Sequence, residues 1–137
     1  MKNNSLNLVF IVDDDPDDRQ IVLDAFLEND ARIDYVFIEN GEDLIAKLHS
    51  QDLDYPALVL LDLNMPGMLG LQALKEIKNN KNLNHIPIVV LTTSTLHTDR
   101  RSAYQAGASC YIKKPDSYNE LVTLTRSILQ LWLSENQ

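Results

Sequence analysis

Three short runs, LVFIV at 8–12, ALVLL at 57–61 and PIVVL at 87–91, are apolar at nearly every position. A strand with one wet face alternates apolar and polar side chains, so runs without alternation are covered on both faces, as the inner strands of a parallel sheet are. Helices must therefore flank the sheet on each side. Five strands are expected, at 8–12, 35–38, 57–61, 88–91 and, more weakly, 110–112. Between them apolar residues recur at helical spacing: Val22, Ala25 and Phe26; Leu44, Ile45 and Leu48; Leu71, Leu74 and Ile77; Leu121, Leu124, Ile128, Leu131 and Trp132. A fourth helix near 98–105 is the least apolar. Asp15 is a good N-cap followed by a proline at the first helical position, and Asp17 and Asp18 suit the positive end of that helix.

Five strand–helix units in 137 residues, joined by right-handed crossovers, make an α/β protein. The sheet is doubly wound, five-stranded and parallel, in the order 2-1-3-4-5. One domain spans 1–137 with its core at about 8–133. The first few residues are expected to fray, and 78–85 to form a solvated helix end and loop. Acidic residues exceed basic ones by 20 to 12, a net charge of −8, which repels phosphate backbones and anionic lipid and argues against nucleic acid or membrane partners. The single cysteine, Cys110, has no internal disulfide partner and packs in the fifth strand, and no apolar run approaches the ~20 residues a bilayer needs. A reducing cytoplasm is the expected compartment.

Ligands of open parallel sheets bind beyond the carboxyl ends of the strands, where strand order reverses. At those ends stand Asp13, Asp14 and Asp15; Asp62; Thr92, Thr93 and Ser94; and Lys113 and Lys114. Asp15, Asp17 and Asp18 are accounted for by helix capping and the helix dipole. Asp13, Asp14 and Asp62 are not, and clustered carboxylates in a cleft repel one another unless a cation compensates. A hard divalent ion is the simplest compensation. His49, His85 and His97 lack metal-ligand spacing.

Four motifs, FIVDDDP, LVLLDLNMPGMLG, IPIVVLTTS and YIKKP, occur in one order and spacing and resemble the receiver domain of two-component response regulators over nearly the whole chain. The resemblance implies that Asp62 is the phosphoacceptor. It implies Mg²⁺ (or Mn²⁺) held by Asp62, by Asp14 directly, by Asp13 mainly through water and by the backbone carbonyl of Asn64. Lys114, immediately before Pro115, would contact a phosphoryl oxygen, with a cis peptide turning it inward. Thr92 would hydrogen-bond the phosphoryl group beside a small Thr93, and Tyr111 would be the aromatic switch. Gly67 and Gly70 suit a close turn, Gly107 and Ala108 a helix end. Leu69 stands where the family often has an aspartate, making the loop above the site more apolar. The implied partners are a histidine kinase or phosphotransfer protein and an unknown downstream protein, with a homodimer through helix four, strand five and helix five also implied. Because only one amphipathic helix follows strand five, the output is expected to be a protein contact. The wording of the motifs looks most like the small regulators partnered with bacterial phytochromes.

Two rival readings are open. Asp13 and Asp15 also resemble the DxD of haloacid-dehalogenase-type phosphatases, with Asp13 as nucleophile, but Asp116 and Glu120 downstream are not at a strand end and Asp62 is left idle. A phosphorylation-independent binding module of the same fold would be expected to have lost the acceptor or the lysine, and both are present.

Overall fold

The apolar runs form the sheet they predict. The computed structural model describes residues 2–29, 32–63 and 69–133. In chain order the elements are β1 (Leu8–Val12), α1 (Pro16–Leu27), β2 (Asp34–Ile38), α2 (Gly41–His49), β3 (Leu58–Leu61), α3 (Leu69–Lys78), β4 (Ile88–Thr92), α4 (His97–Ala106), β5 (Cys110–Lys113) and α5 (Tyr118–Trp132). All strands pair in parallel in the order β2-β1-β3-β4-β5. Every residue of β1, β3 and β4 is buried, whereas the edge strands β2 and β5 are partly exposed.

Strand alternation divides the core in two. Phe10, Val12, Val59 and Leu61 face Leu44, Leu48, Leu74 and Ile77 of α2 and α3, while Val9, Ile11, Leu58 and Leu60 face Val22, Phe26, Leu121 and Ile128 of α1 and α5. Burying a side chain of this kind stabilises by about 1.5–3 kcal/mol, so both layers hold the sheet flat against its helices. Cys110 and Trp132 pack partly buried against the second layer. Leu131, grouped with the apolar side of α5 from its spacing, is instead 69% exposed, and Leu129 takes the buried place. A polar clasp joins α1 to α5: the Asn29 side-chain amide donates to Thr125 Oγ1 at 3.0 Å and to the Val122 carbonyl at 3.1 Å, and accepts from Arg126 Nε at 3.0 Å.

Local signals set the helix ends. Asp15 accepts from the Asp17 amide with Pro16 next in line, and Asn40 and Ser117 cap α2 and α5 in the same way. Gly107 closes α4 in the left-handed region, φ 111°, and the Ala108 and Gly107 amides donate to the Ala103 and Tyr104 carbonyls in a Schellman arrangement. Three expectations are corrected. Gly70 lies inside α3 rather than in a turn. The N-terminal segment is tied down: Asn4 bridges Tyr55, and the Lys2 ammonium caps the Leu48 and Ser50 carbonyls at the end of α2. The 78–85 stretch is not wholly solvated either, because Leu83 is buried in the core. Among the described residues no helix is long and apolar enough to cross a membrane.

Candidate functional site

Register brings the polar strand ends together. Val12 pairs with Leu61 and Thr92 with Lys113, so Asp13, Asp62, Thr92 and Lys114 emerge on one edge. The Asp62 amide donates to the Val12 carbonyl at 3.0 Å, and the Lys114 amide to the Thr92 carbonyl at 2.7 Å. Asp13, Asp62 and Thr92 are 4%, 5% and 0% exposed, so two carboxylates sit out of water at the reversal point of the sheet. Beneath them Val22, Leu60 and Leu91 close the floor, leaving about 10 Å³ of free space. Anything that reaches Asp62 must come from the open strand ends.

Lys114 binds this pair. Its ammonium lies 3.3 Å from Asp13 Oδ2 and 3.3 Å from Asp62 Oδ2. Burial works against its charge, but Asp62, Asp13 and Asp18 outweigh burial and hold the ammonium above its ordinary value. Asp13 is pushed up to about 6, first by burial and then by the neighbouring Asp62 charge, against the Asp15 amide and Lys114. Asp14 is exposed at the rim. Ligand oxygens of Asp13, Asp14 and Asp62 all come within 4.8 Å of one another. Setting these three carboxylates against Lys114 leaves two negative charges, the deficit a divalent cation would fill, and a set of hard oxygens suits Mg²⁺ or Mn²⁺. The acidic cluster can therefore hold a metal. Asn64, the remaining expected ligand, lies outside the described residues, as does Gly67; the side chain of Leu69 is likewise not described.

The hydroxyl residues connect the site to the β4–α4 loop. Thr92 Oγ1 accepts from the Ser94 amide at 3.3 Å, and Thr93 is exposed. Ser94 Oγ hydrogen-bonds the Asp99 carboxylate and accepts from the Leu96 amide. Tyr111 is half-buried, and its hydroxyl donates to the Ser94 carbonyl at 3.2 Å. Its ring is thus engaged with the loop and not simply packed under α4. The Lys114–Pro115 bond is trans, with no cis peptide among the described residues. Trans is the isomer an X–Pro bond favours, by about 0.5–1 kcal/mol, and Lys114 reaches both carboxylates from it.

Two participants were not singled out from the sequence. Asp18, read as a helix-dipole residue, also lies 3.7 Å from the Lys114 ammonium. Arg19 donates from Nη1 to the Asp13 carbonyl at 3.0 Å, stacks over the Phe37 ring, and buries an Nε with no hydrogen-bond partner among the described residues. Helical side chains lean toward the N-terminus, so a long cation in the first turns of α1 could have been expected to reach back to the end of β1. Asp15, which a DxD phosphatase would need beside Asp13, is exposed and caps α1.

The chain is similar in sequence and fold to known proteins. Response regulator Rcp1 of Synechocystis sp. is 30% identical over 136 residues, covering 96% of this chain and 92% of Rcp1. The crystal structure of its Mn²⁺-bound form matches with a TM-score of 0.82, covering 93% of this chain and 95% of that one. The phosphorylated cyanobacterial phytochrome response regulator RcpA is 30% identical with a TM-score of 0.84, covering 94% and 95%. The receiver domain of the sensor histidine kinase PA1611 from Pseudomonas aeruginosa PAO1, solved with magnesium coordinated in its active-site cleft, is 26% identical with a TM-score of 0.72, covering 93% and 97%. Residues 9–126 match the response regulator receiver domain family, and this chain belongs to that family.

Proposed function

We propose that the chain is a switch that takes a phosphoryl group from a histidine kinase or phosphotransfer protein onto Asp62 and signals by binding a downstream protein. The observation that carries this reading is the buried Asp13–Asp62 pair sharing the Lys114 ammonium at 3.3 Å from each. It has the nucleophile, the cation for the incoming phosphoryl oxygens and the acidic corner for a metal within one site. The phosphorylated state of RcpA and the Mn²⁺ bound by Rcp1 support it.

Asp62, Asp14 and, through water, Asp13 would hold Mg²⁺, which neutralises charge on the phosphoryl oxygens in transfer. A carboxylate oxygen of Asp62 attacks phosphorus while the bond from phosphorus to the donor nitrogen breaks, and the leaving imidazole keeps the electron pair. Lys114 turns from Asp13 toward a phosphoryl oxygen. Attack by water on phosphorus later returns the free carboxylate and inorganic phosphate. Thr92 reports the event: when its hydroxyl bonds the phosphoryl group it releases the Ser94 amide, loosening a loop that Tyr111 also holds. A partner that prefers the altered surface of α4, β5 and α5 by a few kcal/mol then reads the signal.

Intact-mass measurement after incubation with a small phosphodonor tests the reading. One phosphoryl group should be added in Mg²⁺ and none in a chelator, with uptake sharply slowed in Lys114→Ala. No addition under conditions that phosphorylate RcpA would overturn it.

A further inference from the structure

We infer that Arg19 is a positioning residue for the metal: it grips the peptide that joins Asp13 to Asp14 and thereby aims the Asp14 carboxylate at the ion. The inference rests on the proposed reading of Asp13, Asp14 and Asp62 as a Mg²⁺ site. Asp13 is held at each of its polar atoms. Its amide donates to the Ile38 carbonyl at 3.0 Å, Oδ1 accepts the Asp15 amide at 3.0 Å, Oδ2 lies 3.3 Å from the Lys114 ammonium, and its carbonyl accepts from Arg19 Nη1 at 3.0 Å. Asp14 differs. It is exposed, and its carboxylate makes no hydrogen bond or ion pair among the described residues, yet one of its oxygens comes within 4.8 Å of those of Asp13 and Asp62. Only its backbone aims it. Turning the Asp13–Asp14 peptide would swing Asp14 off the cluster, and the carbonyl of that peptide is the one Arg19 holds.

Arg19 is itself braced. Its guanidinium carbon lies 5.5 Å from the centroid of the Phe37 ring on β2, and that ring lies 5.0 Å from the ring of Tyr35. The Arg19 amide donates to the Asp15 carbonyl at 3.1 Å, so one residue closes the β1–α1 turn twice, at Asp13 through its side chain and at Asp15 through its backbone. A hydrogen bond from a charged donor is the stronger kind. The buried Nε, with no partner among the described residues, works against stability. The contribution of this guanidinium therefore lies in where Nη1 is placed rather than in the burial of its charge.

Position, not charge, is what Arg19 supplies. Every ion pair among the described residues is made by Lys114, and the charges that act on the Asp13 carboxyl are those of Asp62 and Lys114. Arg19 pairs with no carboxylate. Groups that orient metal ligands without touching the ion change metal affinity by about 10–100-fold when they are removed.

The test is calorimetric titration of the full chain with Mg²⁺, for the parent, Arg19→Met and Arg19→Lys, beside melts in a chelator and phosphoryl uptake measured across Mg²⁺ concentration. Met keeps an apolar stem against Phe37 and removes the unmet Nε. Arg19→Met should therefore melt close to the parent in a chelator but bind Mg²⁺ about tenfold more weakly. The Mg²⁺ concentration that half-saturates uptake should rise by the same factor while the saturated rate stays at the parent's, whereas Lys114→Ala should be slow at every concentration. Arg19→Lys, which keeps a donor for the Asp13 carbonyl, should recover most of the affinity. Unchanged Mg²⁺ affinity in Arg19→Met, no recovery in Arg19→Lys, or a saturated rate that falls as it does in Lys114→Ala would overturn the inference. Absence of Mg²⁺ binding in the parent chain would instead remove the reading beneath it.

Discussion

Replacing Asp13 by Asn should stabilise the metal-free protein while removing its use for metal. The structure supplies the magnitude. Asp13 is pushed from 3.8 up to about 6, which corresponds to about 3 kcal/mol of extra free energy to ionise it in the fold. This figure already contains the attraction of Lys114 and the repulsion of Asp62. The sign follows from proton uptake. Between these two values the folded chain holds the proton more tightly than the unfolded one, so metal-free stability falls as pH rises from about 4 through about 6, and the penalty is complete above that. Asn has the shape of the protonated form and can still accept the Asp15 amide, which lies 3.0 Å from Asp13 Oδ1. At pH 7.5 in a chelator, Asp13→Asn should therefore melt higher by about 9–15 °C, at ~3–5 °C per kcal/mol for a chain of this size. At pH 4 the gap should close. In Mg²⁺ the parent protein should gain stability by mass action and the variant little. Calorimetric melts of both proteins under the three conditions decide the matter. A variant that is no more stable than its parent at pH 7.5 without metal would refute the claim that this acidic corner is strained.

Other changes follow from the same structure. Mg²⁺ affinity, measured by titration calorimetry, should fall about tenfold per pH unit below about 6 as the proton on Asp13 competes with the ion; a flat profile down to pH 5 would argue against it. Gly107→Ala should cost about 2–3 kcal/mol in urea unfolding, since φ is +111° and a Cβ would stand 2.2 Å from Lys78 Cγ. Lys78 is held in place by the Ile86 carbonyl at 2.8 Å, so it cannot simply swing away. Asn29→Ala should cost about 1–3 kcal/mol by taking the amide donor from the buried Thr125 hydroxyl, with no effect on metal affinity.

The sheet was readable because burial on both faces removes alternation, and the runs beginning at Leu8 and Ile88 have no other comfortable fold. Strand order followed from five strand–helix units joined by right-handed crossovers, and the site from Asp13, Asp62, Thr92 and Lys114 standing at the ends of four strands in that order. The rest depended on side-chain reach. Asp18 was explained by the helix dipole, and nothing in its spacing says that Lys114, distant in the chain, ends 3.7 Å away. Arg19 carries no motif or spacing signal, and only the fold brings its guanidinium to 3.0 Å from the Asp13 carbonyl. The exposure of Leu131 was missed because helical periodicity gives a face but not the width of the groove that receives it. Lys2 was read as fraying because a lone lysine near a terminus carries no sign of the α2 carbonyls it caps.

The most direct measurement is borohydride trapping of the acyl phosphate after incubation with a small phosphodonor, followed by peptide mapping of the parent chain and of Asp62→Asn, each with and without Mg²⁺. The account predicts reduction at Asp62 alone, dependent on Mg²⁺ and absent from the variant. Trapping at Asp13, or undiminished uptake at the same position in Asp62→Asn, would contradict it.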